Sequence, residues 1–180
     1  MKPLFAAMLF SMLALMASPA LAQSPGLAAI GADPASLARV GIRNIDGSGI
    51  RIGQIESGNP LTTHPALAGH VTVVNNPARP AAITTMHGTM VAGVMVDQDA
   101  ANRGVAPGAQ DFSFALSSDP GASVSARRVL AGDTLLAQGV QIVNESNSAP
   151  DVANGRSRQT LAVDWFADQK NLIWCKRPAI

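Results

Sequence analysis

The stretch Gly49-Ile50-Arg51-Ile52-Gly53-Gln54-Ile55-Glu56-Ser57-Gly58-Asn59-Pro60 decides the first element of the fold. Isoleucines recur along an alternating run, which reads as a strand ending at Glu56. Ser57-Gly58-Asn59-Pro60 is turn chemistry and stops it.

Downstream, Val71–Val74 reads as a second short strand and residues 75–80 as loop. Thr84-Thr85-Met86-His87-Gly88-Thr89 opens the apolar run Met90–Val96, and the threonines are good N-cap residues. A run apolar on most faces predicts a buried helix, and Ala92 and Gly93 allow a close approach to a sheet. Asp97–Gly108 is polar loop, and Asp111–Leu116 is a strand. Ser123–Gln138 has helical spacing at Val124, Val129, Leu130, Leu135 and Leu136, and Gly139 stops it. Val140–Asn144 reads as a strand, Arg158–Lys170 as a helix and Leu172–Trp174 as a last strand. Strands alternating with helices predict an α/β fold: a mostly parallel sheet with helices on both faces. Such sheets carry function at the carboxyl ends of their strands.

Upstream, residues 23–48 are rich in Ala, Gly, Pro and Ser and read as a leader lying against the domain, with a short helix near Ala35–Val40. Met1-Lys2-Pro3 is a positive start, Leu4–Ala17 is apolar except for Ser11, and Ala20-Leu21-Ala22 fits a signal-peptidase site. Residues 1–22 therefore read as a cleaved export signal, since the apolar run falls short of the ~20 residues that cross a bilayer. The remaining 158 residues carry no net charge, because Lys2 leaves with the signal. No later stretch could span a membrane, so the mature protein is expected to be secreted or periplasmic. The expected division is a signal at 1–22, a leader at 23–48 and one domain at 49–180. A chain of 180 residues that is 47% apolar and 14% charged fits one folded domain and argues against disorder. Its formal charge of +1 gives no basic field for nucleic acid.

Chemistry-bearing residues are few. The two glutamates, Glu56 and Glu145, sit at strand exits, and the three histidines are His64, His70 and His87. A carboxylate at a strand end and a histidine at a helix start are the orienter and base of a nucleophilic site. Taken singly, a histidine like His87 more often packs or caps a helix start, and a carboxylate like Glu56 more often caps a turn. His64 and His70 read as surface or turn residues. The lone Cys175 excludes an internal disulfide framework, and no tight ligand spacing joins it to the histidines, so no metal is expected. Without a glycine-rich phosphate loop, no nucleotide is expected either. No cofactor is called for.

Four blocks together resemble the subtilisin-like serine proteases. Ile52–Gly58, followed by His64-Pro65-Ala66-Leu67, is similar to that family's acid-bearing strand, which ends in Asp-Thr/Ser-Gly. His87-Gly88-Thr89-Met90-Val91-Ala92-Gly93 matches its His-Gly-Thr-His-Val-Ala-Gly helix start at six of seven positions. Gly104–Ala109 resembles the next turn, and Gly139–Ser146 the strand lining the substrate cleft. The resemblance implies a serine endopeptidase in which His87 is the general base and Glu56 stands at the orienting aspartate's position. It further implies that Ser146, Asn147 and Ser148 offer backbone groups to an extended peptide, with peptides or proteins as substrates.

Two departures qualify the resemblance. Glu56 replaces an aspartate and is one methylene longer, so its carboxylate reaches about 1.5 Å further, and a misplacement on that scale can cost ~10²-fold in rate. No Gly-Thr-Ser nucleophile motif occurs in the chain, and Cys175-Lys176-Arg177 stands where the family reads Ala-Gly-Asn, its oxyanion asparagine. The chain therefore reads as truncated before the nucleophile. It is expected to be inactive alone, the alternative being a non-catalytic exported protein that keeps the cleft and binds peptides.

Overall fold

In a computed structural model, residues 25–75, 83–118, 121–147 and 156–176 are described. The export-signal reading of residues 1–22 and the Ser148 position lie outside them. Two short helices, α1 (Pro25–Ala29) and α2 (Pro34–Arg39), open the described chain, with Asp33 capping α2 through Ala35 and Ser36 N–H groups. Then follow β1 (Arg51–Glu56), β2 (Val71–Val73), α3 (Met86–Val96), β3 (Gln110–Ala115), α4 (Val124–Ala137), β4 (Ile142–Glu145), α5 (Arg158–Lys170) and β5 (Ile173–Lys176). A 3-10 turn at Leu116–Ser118 follows β3.

The five strands form one sheet in the order β2-β3-β1-β4-β5, every neighbouring pair parallel. β1 is central. The chain first builds outward to β2 and back through β3, then crosses to β4 and β5 on the other side. The strand order thus reverses at β1, the position at whose carboxyl end open parallel sheets carry their sites.

Side chains alternate across the strands and divide between two cores. On one face Ile55, Phe114 and Val143 pack with Ala131 and Leu135 of α4 and Phe166 of α5. On the other, Ala92 and Val96 of α3 pack with Leu67 and Ala109. Helices thus cover both faces, as the strand–helix alternation predicts. Where α4 crosses α5, a Cβ at Gly132 would lie 2.3 Å from the Phe166 ring, so only glycine permits this contact.

Several expectations are corrected. α3 is not buried all round: Gly88, Ala92 and Val96 face inward, while Met86, Met90 and Val94 are exposed. The small residues let the helix approach the sheet, and their spacing turns the larger side chains outward. On α4 the inward positions are Arg128, Ala131, Gly132 and Leu135, whereas Val129 is partly exposed. β3 stops one residue early because Leu116 begins the 3-10 turn. β4 starts at Ile142, since Val140 still bonds the carbonyl of Leu135 in the helix-ending turn. β2 ends at Val73, and β5 runs Ile173–Lys176 beyond a buried Leu172.

Candidate active site

Three segments converge at the carboxyl edge of the sheet. Glu56, the last residue of β1, is fully buried. The N-terminus of α3 sits directly above it. Thr85 caps that helix, its hydroxyl oxygen accepting from the Gly88 N–H at 3.1 Å. The Gln54 side chain, two residues before Glu56 on the same face, donates to the Gly88 carbonyl at 2.8 Å and pins the helix to the strand. The turn after β1 packs against this helix start. A Cβ at Gly88 would meet the Gly58 carbonyl oxygen at 2.7 Å, and one at Gly58 would meet the Ile83 carbonyl oxygen at 2.6 Å. Two glycines therefore allow the close approach that sets His87 over Glu56.

The His87 Nε2 lies 3.3 Å from Glu56 Oε2 and 3.2 Å from the carbonyl oxygen of Ser146, just beyond β4. The histidine side chain is 60% exposed while the glutamate is wholly covered, so one partner faces solvent and the other the protein. Burial pushes the Glu56 carboxyl above its ordinary range. The His87 ring and the N–H groups of Ser57 and Ser146 pull it back, and the charge of Glu145 adds a smaller upward push.

In the serine-protease template the orienting carboxylate takes the Nδ1 proton and leaves Nε2 for the hydroxyl. Here Nε2 faces both acceptors, so a proton on Nε2 satisfies them and Nδ1 carries the lone pair. The arrangement can accept a proton at the ring and hold the resulting imidazolium against a buried carboxylate. Among the described residues the ring contacts no hydroxyl.

The remaining site residues divide. Ser146 is half-buried, its hydroxyl accepting from the Asn144 side chain at 2.8 Å. Asn147 is turned inward, its amide donating to Glu145 Oε1 at 3.1 Å. Ser148 lies outside the described residues. His64 is exposed in a turn, and its Nδ1 accepts from the Ala66 N–H. The His70 Nδ1 lies 3.0 Å from the Ala109 carbonyl oxygen. Cys175 is exposed on β5. Among the described residues, no three His, Cys, Asp or Glu side chains gather where a metal could bind. No described helix is long and apolar enough to cross a membrane.

Glu145 was legible only as a strand-exit carboxylate. It forms a fully buried ion pair with Arg128 of α4, whose Nε and Nη2 both lie 2.6 Å from Oε1, and its Oε2 accepts from the Trp174 indole at 3.1 Å. Arg128 also donates to Gln159. A signal for the pair existed: Arg128 falls on the helix face that carries Ala131 and Leu135, where a guanidinium must find a partner.

No family model and no curated protein sequence matches the chain. Solved structures do match. The protease domain of PatA superposes with a TM-score of 0.58 at 22% identity, over 73% of this chain and 50% of that one. The prenylagaramide maturation protease PagA gives 0.54 at 18%, over 71% and 44%. The PatG macrocyclase, solved with a peptide, gives 0.58 at 17%, over 85% and 55%. The chain thus spans about half the length of these structures. Identity this low speaks for architecture alone, and the architecture is a parallel sheet covered by helices on both faces. The chain has a subtilisin-like protease fold.

Proposed function

We propose that the chain is the N-terminal part of an exported subtilisin-like serine endopeptidase. It would supply the base and its orienter but not the nucleophile. The observation that carries this reading is the 3.3 Å approach of His87 to Glu56 at the carboxyl edge of the sheet, although 31 positions separate them in sequence. His87 takes the proton of a serine hydroxyl as it attacks a peptide carbonyl, then returns it to the leaving amine. Glu56 fixes the ring and stabilises the imidazolium formed between those steps. An extended peptide adds to the cleft beside Ser146 and Asn147 by backbone hydrogen bonds. Peptides as substrates are supported by the likeness to two proteases and to a macrocyclase solved with a peptide.

A second reading, a peptide-binding protein without catalysis, is favoured by one observation: Nε2 faces the carboxylate, and among the described residues no hydroxyl touches the ring. Both readings hold the 180-residue chain inactive by itself, because no Gly-Thr-Ser motif occurs in it. In subtilisin, removing the catalytic serine alone lowers turnover by about 2 × 10⁶.

The test adds a peptide substrate and a serine-directed phosphonate to the purified chain. No labelling and no turnover are expected. Stoichiometric labelling of one serine, with turnover that vanishes in His87→Ala, would show that the chain builds its own nucleophile. The two readings separate on the coding DNA beyond Ile180: a Gly-Thr-Ser motif in any frame supports the protease.

A further inference from the structure

The Glu56–His87 pair is held on one side by backbone rather than by side chains. The Ser146 carbonyl oxygen lies 3.2 Å from His87 Nε2, the same nitrogen that lies 3.3 Å from Glu56 Oε2. One ring nitrogen is therefore shared between Glu56 and the Ser146 segment, and what fixes that segment fixes the ring. Ser146 lies just past the end of β4, where the ladder no longer holds it.

The next residue supplies the anchor. Asn147 is buried, and its amide donates to Glu145 Oε1 at 3.1 Å, with the Ile55 carbonyl oxygen a longer contact at 3.5 Å. Glu145 is itself immobilised by Arg128 and by the Trp174 indole. Glu145 and Asn147 therefore bracket Ser146, and the tether between them closes around it. A buried carboxylate with three donors is a firm anchor, and charge-assisted hydrogen bonds are the stronger kind.

We propose that Asn147, tethered by Glu145, is a positioning residue for this site: it fixes the Ser146 carbonyl that holds the His87 ring over Glu56. This deepens the protease reading, but its test does not depend on turnover. The Arg128–Glu145 pair then does two things. It holds α4 to β4 on the far face of the sheet, and through Asn147 it transmits that rigidity to the site. Glu145 acts by a second route as well, since its negative charge opposes ionisation of Glu56.

The two routes have opposite signs, and the chain holds only two glutamates, Glu56 and Glu145. Glutamate labelled with ¹³C at the carboxyl therefore gives two resonances, and Glu145→Gln leaves one, which assigns Glu56. In Asn147→Ala the Ser146 carbonyl no longer holds the His87 ring over Glu56, so the pull of the ring weakens and the Glu56 titration midpoint moves up. In Glu145→Gln the Asn147 acceptor remains but the repelling charge is gone, so the midpoint moves down. General loosening of the fold would not displace one midpoint in opposite directions. An unchanged or lowered midpoint in folded Asn147→Ala overturns the proposal. A raised midpoint in Glu145→Gln overturns the charge route. Should Glu145→Gln fail to fold because Arg128 is left unpaired, Asn147→Ala still decides the positioning role.

Discussion

Asp111 is the strongest handle on the stability of this fold. It lies in β3, is wholly buried, and neither carboxyl oxygen has a hydrogen-bond partner among the described residues. Its cross-strand neighbours are Ile52 and Val71, both packed against the core of Leu67, Ala92, Val96 and Ala109. Burial alone pushes its carboxyl well above the usual range. The sign follows from linkage. The folded state holds the proton more tightly than the unfolded one, so stability is full below the unfolded pKa and is lost as pH rises toward the folded pKa. Within that window each pH unit costs about 1.4 kcal/mol. Asp111→Asn removes this slope while keeping the shape. Asp111→Leu also removes a buried unpartnered group, each worth ~1–3 kcal/mol, and should stabilise the chain by about 2 kcal/mol at neutral pH. Urea unfolding at a series of pH values reads both effects. With a denaturant slope of ~1–3 kcal/mol/M, the Leu variant should raise the midpoint by about 1 M. Glu56 has a raised carboxyl too, so a residual slope of the same sign should survive in Asp111→Asn. If Asp111→Asn declines with pH as steeply as the parent, or Asp111→Leu is the less stable at neutral pH, the argument from burial fails.

Two further outcomes are expected. Gly132→Ala places a methyl 2.3 Å from the Phe166 ring and should cost ~1–3 kcal/mol in urea unfolding, as α4 is forced off α5. Arg128→Met leaves Glu145 buried without its cation and should cost about 3–5 kcal/mol, and the paired change Arg128→Met with Glu145→Leu should recover only part of it, because the Asn147 amide and the Trp174 indole then lose their acceptor.

The alternation of strands and helices was readable because each element carries its own period and its own stop. α5 runs Arg158–Lys170 as expected, since Ser157 caps it and Asn171 ends it in a left-handed conformation. The orientation of α3 was not readable. A helix apolar on most faces gives little sign of which face turns inward, and the inward residues Gly88, Ala92 and Val96 decided it, the first two by close approach. The face of α4 was hidden because Arg128 occupies a core position, and its partner Glu145 lies 17 residues away on the next strand. Glu56 and His87 were legible as a strand end and a helix start. The tie of His87 to Ser146 was not, because it runs through a backbone carbonyl, on which residue type leaves no mark. Nor could residue type say that Nε2, rather than Nδ1, faces the carboxylate.

The central claim is that Glu56 and His87 form one electrostatically coupled pair. The most direct measurement is the Glu56 carboxyl titration, followed by ¹³C spectroscopy in the parent chain and in His87→Ala. Glu56 is buried and His87 is the largest influence favouring its charged form, so removing the ring should move the Glu56 midpoint up. A midpoint that stays in place or falls would mean the two side chains do not act on each other, and the proposed base and orienter would lose their foundation.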